Sequence, residues 1–120
     1  MSISTLGGVS VGTLQFNAPN YTFDVPDALA INGTGINASL ANAPTFNVIG
    51  TPGHSTPAIN FNNFSSAGTA QIILGQIVDT NNGFNAGFIN FNGNSTAGQA
   101  TITVRDQSAA IFNKAQLALD

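Results

Sequence analysis

A fourteen-residue segment occurs twice in this 120-residue chain, and the repeat restricts the possible folds more than any other feature. Residues 59–72 read INFNNFSSAGTAQI and residues 89–102 read INFNGNSTAGQATI, with nine identical positions at an offset of thirty residues. In both copies apolar and polar residues alternate, as in a half-buried strand. Ile59 and Phe61 would point to one side of the strand, and the asparagines beside them to the other. Each copy therefore predicts a short strand, a turn and a second short strand.

The rest of the chain carries the same two signals, short alternating segments and turn residues between them. The segments predicted to be strands are residues 14–16, 21–25, 29–31, 59–61, 70–74, 89–91 and 100–104. The segments predicted to be turns, each rich in glycine, are residues 33–35, 51–53, 66–68, 81–83 and 96–98. The tail, residues 108–120, fits the helical and the strand period equally, and we predict a strand there.

The spacing of the repeats predicts the architecture. Residues 79–87 look inserted, and without them the offset between the two copies falls from thirty residues to twenty-one, which is also the distance from Phe91 to Phe112. Units of about twenty residues with short strands, tight turns and no helix are typical of a β-solenoid, whose coils stack at about 4.8 Å. We therefore predict an all-β fold, a parallel β-helix with coils of about 20 residues. The residues expected to stack are Phe61, Phe91 and Phe112 in an internal ladder, and Ala70 and Ala100 at a tight corner.

The composition fits one folded domain with few charges. Hydrophobic residues make up 42% of the chain, enough for a core, whereas charged residues make up 6%, against roughly 25% in an average domain. Sixteen asparagines, with glycine, serine and threonine, replace them, and the net charge is −3. The two basic residues, Arg105 and Lys114, are too few to follow a phosphate backbone, so we expect no nucleic-acid partner. We predict a single β-solenoid domain over residues 1–120, either complete or part of a longer repeat protein.

Three further features concern the compartment. The chain has no cysteine, which excludes disulfides and cysteine-based metal sites. It contains no run of eighteen apolar residues, so we expect no membrane insertion by this segment. The start, MSISTLGGVS, lacks the basic region and apolar run of a secretory signal, so the signal of an exported protein would lie outside this sequence.

The string S-[ST]-A-G-x-A-x-I after a phenylalanine-containing strand occurs at residues 65–72 and 95–102. It resembles repeats in the passenger domains of Gram-negative autotransporters and related surface proteins. The segment GTLQFNAPNYTFDVPDALAINGTGINAS, residues 12–39, is similar to them as well, and the resemblance extends at the level of repeats from about Gly12 to Ile111. It implies a right-handed parallel β-helix that is secreted or exposed at the cell surface. It implies no particular activity, since passenger domains carry many different functions.

Parallel β-helices include polysaccharide lyases and hydrolases, so pairs of carboxylates in this chain are candidate catalytic groups. Hydrolysis of a sugar bond needs two carboxyl groups roughly 5–9.5 Å apart. Asp79 and Asp106 could occupy neighbouring coils and are the best pair in this chain, whereas Asp24 and Asp27 flank Pro26 and are expected in a turn. Because the chain offers few charges and no long loops to form a groove, we expect no enzyme and no catalytic residues.

Two other motifs have simple structural explanations. The pattern G-x-G-x-x-A at residues 33–38 matches a dinucleotide-binding turn, but no crossover helix can follow before Pro44, so we predict a turn and no cofactor. His54 and Ser55 are adjacent, and adjacent residues rarely face one another; with no G-x-S-x-G segment, we expect a solvated histidine in a surface loop. A metal site at His54 would need two or three further ligands, and the five carboxylates form no matching cluster, so we expect no metal.

Two functional classes fit these features, a structural module that spaces, displays or adheres, and a unit whose coils continue from one molecule into the next. We expect a non-enzymatic extracellular structural or adhesin-like module at the bacterial surface or secreted, with end-to-end assembly into filaments as its extension. Residues 1–12 carry no charged side chain and the tail has only Lys114 and Asp120, so neither end has the strong cap that solenoids use. The expected partners are copies of the same chain, surface glycans, or host or matrix proteins. The alternative is a carbohydrate-binding or carbohydrate-cleaving β-helix.

Overall fold

A computed structural model of the chain describes residues 8–79 and 83–114, and this part folds as a stack of β-strands. The strands are β1 (Val9–Phe16), β2 (Thr22–Asp24), β3 (Ala28–Ala38), β4 (Thr45–Ile49), β5 (Ala58–Phe61), β6 (Gln71–Asp79), β7 (Gly83–Ala86), β8 (Phe88–Gly93), β9 (Thr101–Val104) and β10 (Ala109–Lys114). A single 3₁₀ turn, Leu40–Asn42, is the only helical element among the described residues.

The strands form two parallel sheets between which the chain passes alternately. The first sheet has the order β1-β3-β5-β8-β10, and in the second β2, β4, β6 and β9 pair in that order. The antiparallel exception in the described part is β7, which forms a hairpin with the end of β6. Because each strand lies on the strand of the preceding coil, the prediction of an all-β parallel β-solenoid is confirmed.

The coils differ in length although the sheets keep their register. One row of paired positions in the first sheet consists of Val9, Leu29, Ile59, Ile89 and Ala110. Successive coils therefore take 20, 30, 30 and 21 residues. The predicted length of about 20 residues describes the first and last of these coils, whereas the two middle coils are longer at their connecting loops.

The core consists of side chains stacked along the rows of the two sheets. The rings of Phe61 and Phe91 stack at 5.2 Å and those of Phe91 and Phe112 at 4.8 Å, both nearly parallel, so the predicted ladder is confirmed. In the second sheet, Phe23 and Phe46 stack at 5.2 Å. At the tight corner, turns are closed by bonds from Ala70 N to Ala67 O and from Ala100 N to Ala97 O, and Thr101 N donates to Ala70 O of the coil below. Ala70 and Ala100 therefore occupy equivalent corner positions, as predicted.

The predicted turn at residues 33–35 is wrong, because β3 continues through it to Ala38. Gly35 adopts a φ of +106°, and a Cβ there would lie 2.1 Å from Ser66 O. Glycine thus lets the strand bend in close contact with the next coil and still pair with β1, whose register shifts at this place. The turns at residues 51–53, 66–68 and 96–98 are confirmed, each containing a glycine at positive φ.

Two further predictions concern the second half of the chain. The strand predicted for the tail is confirmed as β10 up to Lys114, and residues 115–120 lie outside the described part. The turn predicted at residues 81–83 falls largely outside it, since residues 80–82 are not described.

Candidate functional site

The two lengthened coils are both extended at one edge of the solenoid, where the chain passes from the second sheet to the first. We call this edge the loop corner and define it as residues 25–27, 50–57, 75–79, 83–87 and 105–108. The first and last connections are short, whereas the second is a loop of eight residues and the third contains the β6–β7 hairpin. Most of the residues that lengthen the two middle coils therefore lie at this corner.

A buried carboxylate fastens the loop of the second coil to the first coil. Asp27 is 3% exposed, and its Oδ1 accepts hydrogen bonds from Ser55 N at 3.1 Å and Ser55 Oγ at 2.9 Å. Its Oδ2 lies 3.0 Å from Nδ1 of His54, whose side chain is 31% exposed. His54 lies in a surface loop, as predicted, but the expectation that it is solvated holds only in part, because Asp27 holds the imidazole against the coil.

These contacts also set the protonation of Asp27. Burial penalises the charged form and raises the pKa of the carboxyl group, but hydrogen bonds from His54 and Ser55 oppose it. The hydrogen bonds outweigh the burial, so the pKa of Asp27 lies below its ordinary value. The carboxylate is therefore charged at neutral pH and can hold the loop.

The hairpin of the third coil in turn packs on the loop of the second. Asn85 is 5% exposed, and its Nδ2 faces three loop carbonyl oxygens, those of Thr51 at 3.3 Å, His54 at 3.4 Å and Ser55 at 3.5 Å. A Cβ at Gly50 would lie 1.8 Å from Asn85 O, so the two segments approach as closely as glycine allows. The three coils are thus joined at the corner by side chains as well as by their strands.

The structure corrects the boundaries of the predicted insertion. The sequence indicated residues 79–87, whereas the paired hairpin runs from Gln76 to Ala86. Gly87 belongs to the stacked coil, because its N–H donates to Gly75 O at 2.8 Å and a Cβ there would lie 1.8 Å from Val48 O. The position of the Phe84 side chain lies outside the described part.

An open cleft of about 490 Å³ lies beside the fastened loop. Its polar lining includes Asp24, Asn47, Thr51 and His54, and its apolar lining includes Pro26 and Ile49. Asn47 Nδ2 donates to Asp24 Oδ1 at 3.2 Å, which fixes the amide and the carboxylate side by side. The cleft thus combines a positioned polar pair with an apolar wall.

The arrangement of Asp27, His54 and Ser55 does not activate a nucleophile. In a catalytic triad the serine hydroxyl donates to an imidazole that is held by the carboxylate. Here the hydroxyl of Ser55 donates to Asp27 itself, and the histidine contacts the other oxygen of the same carboxylate. The cluster therefore fixes the loop.

Asp79 and Asp106, the best carboxylate pair for sugar hydrolysis, both belong to the loop corner. Asp79 ends β6 and is paired with Gly83 in the hairpin, and its side chain lies outside the description. Asp106 is exposed in the turn after β9, with a φ of +57°. Over residues 8–79 and 83–114, no three histidine or acidic side chains come together to hold a metal ion. Nor does this part contain a helix long and apolar enough to cross a membrane.

A second feature runs along the outside of the first sheet. Nδ2 of Asn32 donates to Ser10 Oγ at 2.5 Å, and each further amide donates to the one below it: Asn62 to Asn32 at 2.8 Å, Asn92 to Asn62 at 2.8 Å and Asn113 to Asn92 at 3.0 Å. We call these five residues the asparagine ladder. A shorter row beside it joins Asn90 to Asn60 at 2.7 Å.

The sequence predicted the asparagine ladder in part and the contacts of Asp27 not at all. It placed the asparagines on the outer face, but which asparagines bond to each other could be known only from the register of the stacked strands. The contact of Asp27 with His54 was missed because 27 residues separate them, and the local signal around Asp27 was an ordinary turn.

In comparisons with known proteins, no protein-family model, curated protein or solved structure matches this chain.

Proposed function

We propose that this chain is a non-enzymatic structural module of the adhesin type that acts outside the cell or at a bacterial surface. The observation that supports this most is the asparagine ladder, in which outward side chains bond to the neighbouring coils. Polar groups that could have formed a reactive groove instead join the coils to one another. The resemblance of residues 12–111 to autotransporter passenger repeats supports the surface location.

The ladder suits an exposed structural part for a physical reason. Each inner amide donates to the coil below and accepts from the coil above, and linked hydrogen bonds of this kind polarise one another. The outer face of the first sheet therefore carries a row of uncharged amides, the inner ones bonded to both neighbouring coils, in a chain with no disulfide to stabilise it. Such a face can contact a surface through its shape without relying on charge.

Beads coated with the purified chain test this function. They are passed over immobilised glycans and over matrix proteins, with beads carrying an unrelated β-rich protein of similar charge as the control. We expect the coated beads to be retained on at least one surface at shear that removes the control. In parallel, a panel of soluble polysaccharides is incubated with the chain, and release of new reducing ends would contradict a non-enzymatic role.

A second candidate function, carbohydrate binding, is favoured by the cleft at the loop corner. A carboxylate next to an amide, as in Asp24 and Asn47, can bind two neighbouring sugar hydroxyls, because it offers acceptors and a donor side by side. Pro26 and Ile49 provide an apolar wall for the C–H face of a sugar ring. The cleft of about 490 Å³ is within the usual range for small-ligand sites.

Amide NMR spectra recorded during titration with a set of mono- and disaccharides test the cleft. We expect shifts confined to residues around the loop corner, and Asn47→Ala should weaken that binding roughly tenfold or more. Thr45→Ala is the matched control, because Thr45 lies two residues earlier on the outer face of the same strand. Equal weakening by both variants, or no shifts with any sugar, would count against this candidate.

A further inference from the structure

The two ends of the described stack both present unpaired strand edges. In the described part of the chain, β10 pairs with β8 alone and β1 with β3 alone. Each of these strands therefore has one edge whose backbone N–H and C=O groups meet no other described strand. Open edges of this kind are templates for the pairing of further strands.

The C-terminal edge also leaves its apolar side chains half covered. Phe112 stacks on Phe91 through one ring face and is 55% exposed, whereas Phe91, with a ring on each side, is fully buried. Ile111 lies on the outer face of the same strand, where it pairs with Asn90, and is 37% exposed. A strand laid on β10 would cover Phe112 as β10 covers Phe91.

From these edges we propose that the C-terminal coil of one molecule binds the N-terminal coil of a second copy, strand β1 lying parallel on β10. The inference rests on the structural function proposed above, and it adds the partner, the contact surfaces and the register. Two copies would then share one continuous first sheet, and further copies would extend the stack.

The internal rows determine the register. One row ends in Ala110 and begins with Val9, and the neighbouring row ends in Phe112 and begins with Val11. Continuing both rows places Val9 of the second copy on Ala110 and Val11 on Phe112. Both contacts are apolar, and both valines are only partly buried in the single molecule.

The asparagine ladder determines the direction. Every amide in it donates towards the N-terminal coil, so Asn113 has its amide oxygen directed to the C-terminal end. At the other end, Ser10 Oγ accepts from Asn32, which leaves its O–H to donate. In this register Ser10 of the second copy lies on Ile111, and its hydroxyl reaches the oxygen of Asn113 diagonally, as Ser10 reaches the amide of Asn32 within one molecule. Two C-terminal ends facing each other would oppose acceptor to acceptor.

The register also gives the length of the repeat. The first sheet has five strands, and at about 4.8 Å per strand each copy adds roughly 24 Å along the stack. In the second sheet the same register leaves one strand position open beside β9.

Mixed disulfide formation tests the partner and the register together, because the chain has no cysteine of its own. Ser10→Cys and a tagged Ile111→Cys would be purified separately, mixed and oxidised. Directly paired positions in neighbouring strands lie within disulfide reach, so we expect the mixed dimer to exceed either homodimer severalfold. Predominance of the Ile111→Cys homodimer would overturn the head-to-tail direction.

Light scattering over a hundredfold range of concentration tests the association of the unmodified chain. We expect the mean mass to rise with concentration, and Phe112→Lys to weaken association roughly tenfold or more, because Phe112 belongs to the inner row and Val11 of the second copy would cover the ammonium. Phe64→Lys is the matched control, since Phe64 is 76% exposed but lies in a turn away from both ends, and it should leave the mass unchanged. A monomer at every concentration would overturn the inference, whereas retention of coated beads would still support the structural function.

Discussion

In the part of the chain that the structure describes, two serine hydroxyls lie inside the stack and form no hydrogen bond. Ser65 and Ser95 are fully buried, occupy equivalent positions in the two sequence repeats, and their Oγ atoms contact no donor or acceptor. A buried hydroxyl without a partner costs free energy, because it has lost its bonds to water. The repeat thus carries the same small destabilisation twice.

We predict that Ser65→Ala raises the free energy of unfolding by about 1 kcal/mol, since the unsatisfied oxygen is removed with little change in volume. The matched control is Ser108→Ala, because Ser108 is also buried but its Oγ bonds to Arg105 N and O. That variant should lose stability. Urea unfolding midpoints measure both, and a loss for Ser65→Ala would mean that its hydroxyl does find a partner.

The phenylalanine ladder should carry much of the stability. Phe91 is fully buried between two rings, so Phe91→Ala should cost about 3–5 kcal/mol. On the outer face, Asn90→Ser removes a single bond to Asn60 and should cost about 0.5–1.5 kcal/mol. Equal shifts of the urea midpoint for the two variants would contradict the assignment of inner and outer faces.

The lowered pKa of Asp27 predicts acid sensitivity. Since the folded-state pKa lies below the unfolded value, the carboxylate stabilises the fold fully above the unfolded value of about 3.9 and loses this effect as pH falls through the folded value. Asp27→Asn should cost roughly 1.5–3 kcal/mol at pH 7. It should also show a smaller loss of stability below about pH 4 than the natural chain.

Thermal unfolding between pH 2.5 and 7 measures this difference. Asp106→Asn is the control, because Asp106 is exposed in a turn, and its curve should follow the natural chain. Identical pH curves for Asp27→Asn and the natural chain would mean that the carboxylate does not hold the loop.

At the scale of elements, the β6–β7 hairpin extends the third coil, and we expect that coil to fold without it. Gly75 and Gly87 are joined by a hydrogen bond of 2.8 Å from Gly87 N to Gly75 O, so their backbones already lie side by side. Deletion of residues 76–86, with Gly75 linked to Gly87, would leave both sheets their register. The loop at residues 50–57 would lose the bonds from Asn85.

We predict that this deletion variant folds into a β-rich protein whose loop at residues 50–57 is cut faster by proteases. Deletion of residues 79–87, the boundaries that the sequence suggested, is the comparison, and it should be less stable because it removes Gly87 from the stacked coil. Far-UV circular dichroism and limited proteolysis check both variants. Recovery of the 76–86 deletion only as aggregate would show that the hairpin is needed for folding.

The sequence predicted elements well where the signal was local. Alternation located most strands, because a half-buried strand shows its period of two directly. It missed β4, although Phe46 and Val48 point inward there and alternate with polar residues. It misplaced a turn at residues 33–35, because glycine in a strand that bends against a neighbouring coil looks like glycine in a turn.

At the scale of the whole molecule, each coil contacts mainly the coils on either side. The largest sets of contacts join successive strands of one sheet, such as β1 with β3 and β8 with β10. Repeat proteins of this kind gain stability from nearest-neighbour interfaces, so the ends have fewer stabilising contacts than the middle. The end strands should therefore open first.

Hydrogen exchange checks this expectation. We predict slower exchange for the amides of β5 and β8, which are paired on both sides, than for those of β1 and β10. At concentrations where copies associate, β1 and β10 should gain protection and the middle strands should not. Uniform protection along the chain at low concentration would indicate that both ends are capped.

The overall architecture could be predicted from the sequence repeat, because equivalent residues of successive coils lie on one another in a stack. The loop corner could not be predicted from the sequence, because it depends on contacts between residues of different coils. Examples are the contacts of Asp27 with His54 and of Asn85 with Thr51. Such contacts arise only where two loops of unequal length meet, and no periodic pattern marks them.

The one-sided placement of the two long loops has a consequence for avidity. If copies stack, each contributes one loop corner and one cleft, so identical clefts would recur about every 24 Å along the assembly. On a surface that displays the ligand repeatedly, many clefts of one assembly would bind at the same time, even if each cleft binds weakly. Because the first bound cleft raises the effective concentration of ligand at the next, overall binding can be stronger by roughly 10²–10⁴. Attachment would then depend on the number of copies in the stack more than on the affinity of any single cleft.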